Sequence, residues 1–119
     1  MRTIIAGSRG IVNIDTISDA IEAAGWIPTV VISGAARGAD RLGEMWAEAA
    51  SVPVERFPAD WRTYGKRAGY IRNAAMAEVA DALIAIWDGQ SPGTANMIQS
   101  AQHRNLKIYI HRVPVHRFT

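Results

Sequence analysis

The sequence contains no cysteine among its 119 residues. This absence excludes disulfide bonds and a thiol nucleophile, and the cytoplasm is the expected location. No apolar run is long enough to cross a membrane, so we expect no membrane partner. The first strand-like segment begins at Thr3, and we therefore expect no signal peptide. The histidines, His103, His111 and His116, lie late in the chain without the spacing of metal ligands, so we expect no metal site.

Charge of either sign is also sparse in this chain. Charged residues make up 20% of the sequence, apolar residues 49%, and the formal net charge is +2. This composition is typical of a globular protein, and the length fits one domain. A small basic excess favours the binding of anions but is too weak to indicate nucleic acid by itself.

Five short apolar runs alternate with stretches of helical spacing, which predicts a three-layer α/β/α sandwich on a parallel sheet. The runs are TIIAG (3–7), TVVISG (29–34), VPVERF (52–57), ALIAIW (82–87) and KIYIH (107–111). The third run carries charges and is expected at an edge of the sheet. The apolar helix stripes are predicted at Ile14, Ile17, Ile21 and Ala24, at Leu42, Met45, Trp46, Ala49 and Ala50, at Ile71, Ala75 and Val79, and at Ile98 and Ala101. We expect one domain over residues 1–111 and a C-terminal tail over residues 112–119.

Most of the glycines and many of the cations follow the strands rather than precede them. They lie in GSRG (7–10), GAARGAD (34–40), PADWRTYGKRAGYIRN (58–73) and WDGQSPGT (87–94). Ligands of open parallel sheets bind beyond the carboxyl ends of the strands. Glycines let backbone N–H groups approach a phosphate, and cationic side chains add charge. The cations at this edge are Arg9, Arg37, Lys66, Arg67 and Arg72, and a phosphorylated small molecule is the predicted ligand.

Each of these loops also has a purely structural interpretation. GSRG is compatible with a tight turn whose Arg9 is solvated, and the glycines of GAARGAD with close helix packing, with Asp40 as a helix cap. A sixteen-residue loop over residues 58–73 is harder to explain in this way, because loops of that length are usually functional. A dinucleotide dehydrogenase fits poorly, since the chain has neither G-x-G-x-x-G nor an acidic residue after the second strand.

The blocks IAGSRG, SGAARGADRLGEMWA, FPADW, YGKRAGYIRNAAM and WDGQSPGT occur in this order. They resemble the YspA (cpYpsA-related) family of the SLOG superfamily, over about residues 3–110. The resemblance implies a single Rossmann-like domain, for which we expect the strand order 3-2-1-4-5. It also implies a pocket for a nucleotide or a nucleotide-derived ligand, with no further cofactor required.

Two enzyme families share part of this pattern. RNAAM (72–76) followed by SPGTANM (91–97) is similar to blocks of the Lonely Guy phosphoribohydrolases, in which Arg72 matches the catalytic arginine and Gly93-Thr94 the phosphate-binding turn. Met97 stands where these enzymes, and the nucleoside 2-deoxyribosyltransferases, have a glutamate. A thioether cannot stabilise an oxocarbenium-like centre. Either the chemistry is absent or another carboxylate supplies it, and the candidates are Asp40, Asp60 and Asp88.

The block SGAARGAD (33–40) resembles DNA-processing protein A, a family that binds single-stranded DNA. Three functions therefore stay open. The predicted function is recognition of a nucleotide-like molecule by a sensor or a sequestering protein. The alternatives are an N-glycosidic hydrolase or transferase, for which Arg72 is also a catalytic candidate, and a single-stranded DNA-binding module. Self-association through the helix that carries Trp46, as a homodimer or a higher oligomer, is a further expectation.

The predicted site combines the turns after the four strands. We expect the phosphate to lie on Gly93 and Thr94, with Arg37 and Arg72 as anion clamps. Asn73, Asp40 and Asp60 are expected to orient the ribose or the base, and Trp61 or Trp87 to cover it. The complete set of predicted ligand-binding residues is Gly7, Ser8, Arg9, Gly34, Arg37, Gly38, Asp40, Asp60, Trp61, Arg72, Asn73, Trp87, Gly89, Ser91, Gly93 and Thr94.

Overall fold

The computed structural model describes residues 1–115 of the chain. In this range, five strands alternate with five helices, and a 3₁₀ turn at Gly65–Arg67 joins the third helix to the fourth. No helix in the described range is long and apolar enough to cross a membrane. The elements are β1 (Arg2–Gly7), α1 (Ile14–Ala24), β2 (Val30–Ser33), α2 (Ala39–Ala49), β3 (Val54–Arg56), α3 (Trp61–Tyr64), α4 (Ala68–Val79), β4 (Ala82–Trp87), α5 (Pro92–His103) and β5 (Lys107–Arg112).

The strands form one parallel sheet with the order β3-β2-β1-β4-β5. This order and the three-layer architecture confirm the sequence prediction, and β3 lies at an edge as expected. In the middle of the sheet, Ile4 of β1 lies in register with Ile32 of β2 on one side and with Leu83 of β4 on the other. The strand order reverses between β1 and β4, which is where open α/β sheets bind ligands.

Two apolar cores lie on the two faces of the sheet. Ile4 and Leu83 pack with Met97 of α5 on one face, and Ile5 and Ile84 pack with α1 and α2 on the other. Successive side chains of a strand point to opposite faces, so each central strand supplies both cores. This explains why β1 and β4 are continuously apolar in sequence rather than alternating.

The predicted apolar stripe on α2 is correct only for Leu42 and Trp46, which pack against the core. Met45 is 45% exposed, whereas the buried face of the helix consists of Ala39, Gly43 and Ala47 with two acidic residues. A side chain at Gly43 would place a Cβ 2.9 Å from a methyl group of Ile5. The helix lies so close to the sheet that only small residues fit between them, and the larger apolar residues lie at the flanks.

The predicted stripe on α4 is wrong. Ile71 and Val79 are 39% and 41% exposed, and the helix buries Ala68, Met76 and Ala77 instead. In addition, the segment predicted as a sixteen-residue loop is largely helical, since it contains α3, the 3₁₀ turn and the first turns of α4. The structure therefore offers a helical scaffold where the sequence predicted a loop.

The predicted tail begins within the sheet. Arg112 is the last residue of β5, and the N–H of Val113 donates to the carbonyl oxygen of Trp87 at 3.0 Å. The remainder of the predicted tail that the structure describes runs to Val115, without regular secondary structure. Residues 116–119, which include His116, lie outside the described residues.

Candidate functional site

A cleft of about 430 Å³ opens at the carboxyl ends of the strands, beside β1 and β4. Residues that follow each of the first four strands line it, as the position of the glycines and cations predicts. Its lining residues are Ala6, Gly7, Ser8, Arg9, Ala36, Asp40, Trp61, Lys66, Gly69, Tyr70, Arg72, Asn73, Ser91, Pro92, Gly93, Thr94 and Met97.

Arg72 and Asn73 of α4 connect three sides of the cleft. One terminal nitrogen of the Arg72 guanidinium donates to the carbonyl oxygen of Gly34, and its Nε donates to Asn73 Oδ1 at 2.9 Å. The buried Asn73 amide donates in turn to Asn96 Oδ1 at 3.0 Å and to the carbonyl oxygen of Gly93 at 3.3 Å. The α4 helix therefore holds the β2–α2 turn and the start of α5 at fixed positions around the cleft.

Asp40 is a buried carboxylate in the first turn of α2. Burial raises the pKa of Asp40 to about 6, against the opposing effects of the Ala36 N–H at 3.3 Å and of the nearby Arg72 charge. Burial also lowers the pKa of the Arg72 guanidinium, and the charge of Asp40 counteracts that shift. The two opposite charges therefore influence each other at the wall of the cleft without forming a direct ion pair.

Gly34 makes this arrangement possible. A Cβ at Gly34 would lie 2.6 Å from a terminal nitrogen of Arg72 and 2.7 Å from Asp40 Oδ2. Both distances are shorter than van der Waals contact, so any larger residue would displace the guanidinium and the carboxylate. Gly34 does not line the cleft, but it determines where two lining side chains lie.

Glu44 supports the same turn and was not predicted from the sequence. Its buried carboxylate accepts from the Ser33 hydroxyl at 2.6 Å and from Arg56 Nε at 2.8 Å. The Ser33 Oγ in turn accepts from the N–H of Ala35, a residue with a positive φ of 60°. The network holds Ala35 in a conformation that residues other than glycine rarely adopt. The signal that could have found Glu44 is its position one helical turn after Asp40.

The start of α5 closes the opposite side of the cleft. Pro92, Gly93 and Thr94 form the first turn of this twelve-residue helix. No preceding helical turn supplies carbonyl acceptors for the N–H groups of Gly93 and Thr94. The N–H groups of Gly93 and Thr94 are therefore available to an anion, which the helix dipole also favours. Met97 is buried at the floor of the cleft one turn later. Met97, which stands at the glutamate position of the enzyme blocks that the sequence resembles, thus faces the cleft with an apolar side chain.

Asp88 organises the turn that precedes α5 rather than the cleft. Its carboxylate accepts from the N–H groups of Gln90 at 2.8 Å and Ser91 at 2.7 Å, and from the Ser91 hydroxyl at 2.8 Å. These donors, led by the Ser91 N–H, lower the pKa of Asp88 and keep it ionised. Asp60 also lies outside the cleft. It caps the start of α3, where its carboxylate accepts from the Thr63 N–H. Of the three candidate carboxylates, only Asp40 lines the cleft.

The cleft brings together ten of the predicted site residues and leaves six outside. Trp87 lies outside because its Nε1 donates to the carbonyl oxygen of Ser91 and its ring packs on the core. Gly38 packs against the main chain of Ser8 and Arg9, which agrees with the packing interpretation of that glycine. Those inside are Gly7, Ser8, Arg9, Asp40, Trp61, Arg72, Asn73, Ser91, Gly93 and Thr94, and those outside are Gly34, Arg37, Gly38, Asp60, Trp87 and Gly89.

Tyr70 and Gly69 line the cleft but were not predicted as site residues. Together with Lys66 and Asn73 they recur at helical spacing, and this periodicity is the sequence signal that could have found them. Tyr70 and Trp61 are 50% and 52% exposed and form an aromatic rim. Among residues 1–115, no group of three histidine, aspartate or glutamate side chains is placed to hold a metal ion.

Comparison with a solved structure shows the fold. DNA processing protein A (DprA) from Streptococcus pneumoniae superposes on 92% of this chain with a TM-score of 0.72 and 15% sequence identity. The superposition covers 49% of the DprA chain, so this protein spans about half the length of that relative.

Comparison of the sequence shows the family. The Gene 61 protein of Mycobacterium phage D29 is 38% identical over 85 residues, which make up 66% of this chain and 68% of the phage protein. The model of the YspA, cpYpsA-related SLOG family matches residues 1–64, which is more than half of the chain. The protein therefore belongs to the YspA, cpYpsA-related SLOG family.

Proposed function

We propose that the cleft binds a nucleotide or a nucleotide-derived phosphorylated molecule, which the protein senses or sequesters. The observation that carries this proposal is the convergence of three cations, Arg9, Lys66 and Arg72, on a cleft that also contains the first turn of α5. Cationic side chains and free N–H groups at a helix start are the partners that a phosphate prefers.

The remaining walls suit a sugar and a base. Trp61 and Tyr70 at the rim offer flat apolar surfaces on which a base can stack. Asp40 offers a carboxylate to a sugar hydroxyl, whereas the amide of Asn73 is already engaged with Arg72 and α5. The volume of about 430 Å³ lies within the usual range of small-molecule sites.

Isothermal titration calorimetry with AMP, GMP, CMP and UMP tests the proposal. Replacement of Arg72 by Ala is expected to weaken binding of the preferred nucleotide at least about tenfold, since charge-assisted hydrogen bonds are among the strong ones. Because Arg72 also holds the Gly34 carbonyl, the exposed Arg9→Ala variant provides a second measurement that leaves this contact intact. Arg62→Ala, a cation of α3 outside the cleft, is the matched control and should bind like the wild type. Failure of all four nucleotides to bind, or equal losses in all three variants, would contradict the proposal.

A second candidate function is N-glycosidic cleavage, which the position of Asp40 favours. A carboxylate with a pKa of about 6 inside a cleft is suited to accept a proton from an attacking water molecule. Two observations weigh against it: Asp40 is the only carboxylate among the lining residues, and Met97 occupies the glutamate position. Mass spectrometry of nucleotides incubated with the protein separates the functions, because free base and sugar phosphate indicate an enzyme and unchanged nucleotide a binding protein.

A further inference from the structure

A second cavity, of about 950 Å³, adjoins the cleft on the other side of the β1–α1 connection. Ser8, Arg9 and Ser91 line both cavities, so these residues form the ridge between them. Arg37, an expected anion clamp that does not line the cleft, lines this second cavity.

Both apolar and polar residues line the second cavity, as in a small-molecule site. Ile11 and Val113 contribute apolar surface, while Asn13, Thr16 and Arg37 contribute polar groups. Within residues 1–115, neither Arg37 nor Arg9 forms an ion pair, so both guanidinium groups are free to bind an anion. The combination of apolar surface with a few polar groups is typical of ligand pockets.

The ridge is a short hydrogen-bonded wall. The Ser91 hydroxyl donates its proton to Asp88, so the Ser8 hydroxyl donates to Ser91 across 3.2 Å. Asp88 also faces the second cavity, where its carboxylate oxygens can accept hydroxyl groups of a sugar. Above the wall, the exposed side chain of Arg9 reaches both cavities.

We propose that the two cavities form one bipartite site for a dinucleotide. One nucleoside lies in the cleft, the other lies in the second cavity, and the phosphates that bridge them lie on the ridge beside Arg9. This inference rests on the proposed function of the cleft. The cleft lacks Arg37 and the second cavity lacks Arg72, whereas a dinucleotide contacts Arg72, Arg9 and Arg37 together.

The covalent link between the two halves of a dinucleotide predicts how much more tightly it binds than a mononucleotide. Once the first nucleoside is bound, the second binds at an effective concentration that the short phosphate bridge keeps high, so the affinities reinforce each other. ADP-ribose, NAD and the dinucleotide pApA should therefore bind at least about tenfold more tightly than AMP or ribose 5-phosphate.

The test compares these five probes by calorimetry on the wild type and on two variants of the second cavity. Thr16→Trp fills the cavity from α1 and should remove the tenfold advantage of the dinucleotides without changing the affinity for AMP. Arg37→Ala, at an exposed position, removes a cation without filling space and should reduce the same advantage several-fold. Thermal unfolding of each variant verifies that it is folded.

The outcomes separate this inference from the proposed function. Binding of AMP and of the dinucleotides with equal affinity would overturn the bipartite site and leave the nucleotide cleft intact. Equal weakening of AMP and dinucleotide binding by Thr16→Trp would overturn the bipartite site as well. Failure of every probe to bind would overturn both proposals.

Discussion

Asp40 combines burial with a position beside the Arg72 charge, and its ionisation therefore affects the stability of the fold. In the unfolded chain an aspartate ionises near pH 4, whereas folding raises the pKa of Asp40 to about 6. Between these values the unfolded chain is ionised and the folded chain is still protonated. The free energy of unfolding therefore falls as the pH rises from about 4 to about 6, and it stays lower above that range.

Asp40→Asn should remove this dependence. The amide retains an oxygen for the Ala36 N–H but has no charge to desolvate. Relative to the wild type, the variant should gain stability between pH 4.5 and pH 7.5, by at most about 3 kcal/mol. Urea denaturation at the two pH values measures the gain, with Asp19→Asn as the control for loss of an exposed carboxylate. Parallel pH profiles of the wild type and Asp40→Asn would show that the burial of Asp40 has no such effect.

Gly34 and Gly38 belong to the same turn, yet their replacement should have different consequences. At Gly34, an alanine would meet only the ends of the Arg72 and Asp40 side chains, which can move. Gly34→Ala should therefore change the free energy of unfolding by less than about 1 kcal/mol but weaken nucleotide binding about tenfold, because the clamp is displaced. Calorimetric titration together with chemical denaturation measures both effects, and unchanged affinity in a folded variant would refute the role of Gly34.

At Gly38, the methyl group would meet the main chain of Ser8 and Arg9, which cannot move locally, and the φ of 79° disfavours alanine further. Gly38→Ala should lower the free energy of unfolding by about 1 to 3 kcal/mol. A Gly38→Ala variant as stable as Gly34→Ala in denaturant would contradict this distinction.

At the scale of elements, α4 is the helix on which the cleft depends most. It carries Arg72 and Asn73 at the cleft and, one turn later on the same face, packs Met76 into the core, so its rotation about its own axis sets the cleft geometry. The sequence predicted the wrong buried face, because Ile71, Ala75 and Val79 are more apolar than the face that packs. The face that is buried is the one that contacts β1 and α5, and it carries Asn73 and Met76.

Two substitutions on α4 test which face is buried. Met76→Ala should lower the free energy of unfolding by about 2 to 5 kcal/mol, because it leaves a cavity in the core. Ile71→Ala, on the exposed face, should change it by less than about 1 kcal/mol. Equilibrium denaturation of the two variants under the same conditions gives the comparison, and similar losses would mean that the helix packs in a different rotation.

At the scale of the whole molecule, the distribution of charge matters more than its small sum. Within residues 1–115, ion pairs join Arg2 to Glu55, Arg104 to Glu78 and Arg56 to Glu44. None of these pairs uses a cation that lines the cleft. The net charge of +2 therefore understates the positive charge available at the edge where the cleft lies, and by itself it does not indicate a nucleic-acid surface.

The response to salt distinguishes a nucleotide site from a DNA-binding surface. One nucleotide phosphate engages few cations, so AMP affinity should fall less than about tenfold between 50 and 200 mM salt, whereas six or more phosphate contacts on DNA lose about a thousandfold. Calorimetry with AMP and fluorescence anisotropy with a twelve-residue oligothymidine make the comparison. Tight, strongly salt-dependent binding of the oligothymidine would favour the DNA-binding alternative, to which Trp61, Tyr64 and Tyr70 would then contribute stacking.

The sequence alone determined the order and type of the main elements and the edge of the sheet at which the cleft lies. Apolar periodicity is local, so the five strands were visible to within a few residues, and the carboxyl ends of parallel strands necessarily meet at one edge. Arg72, Gly93 and Thr94 could be predicted as cleft residues in this way, because each lies in a segment that follows a strand. Arg72 carries a guanidinium group, and Gly93 and Thr94 offer backbone N–H groups, which are typical partners of anions.

Only the tertiary structure decided which of these residues share one cleft. The contact of Arg72 with Gly34 joins residues 38 positions apart, and the burial that raises the pKa of Asp40 comes from several elements at once. The close approach of α2 to the sheet, at Gly43, likewise placed small residues in the core and larger ones at the flanks. Such properties depend on distances between elements, which local sequence patterns do not contain, and they follow only from the packing of the complete chain.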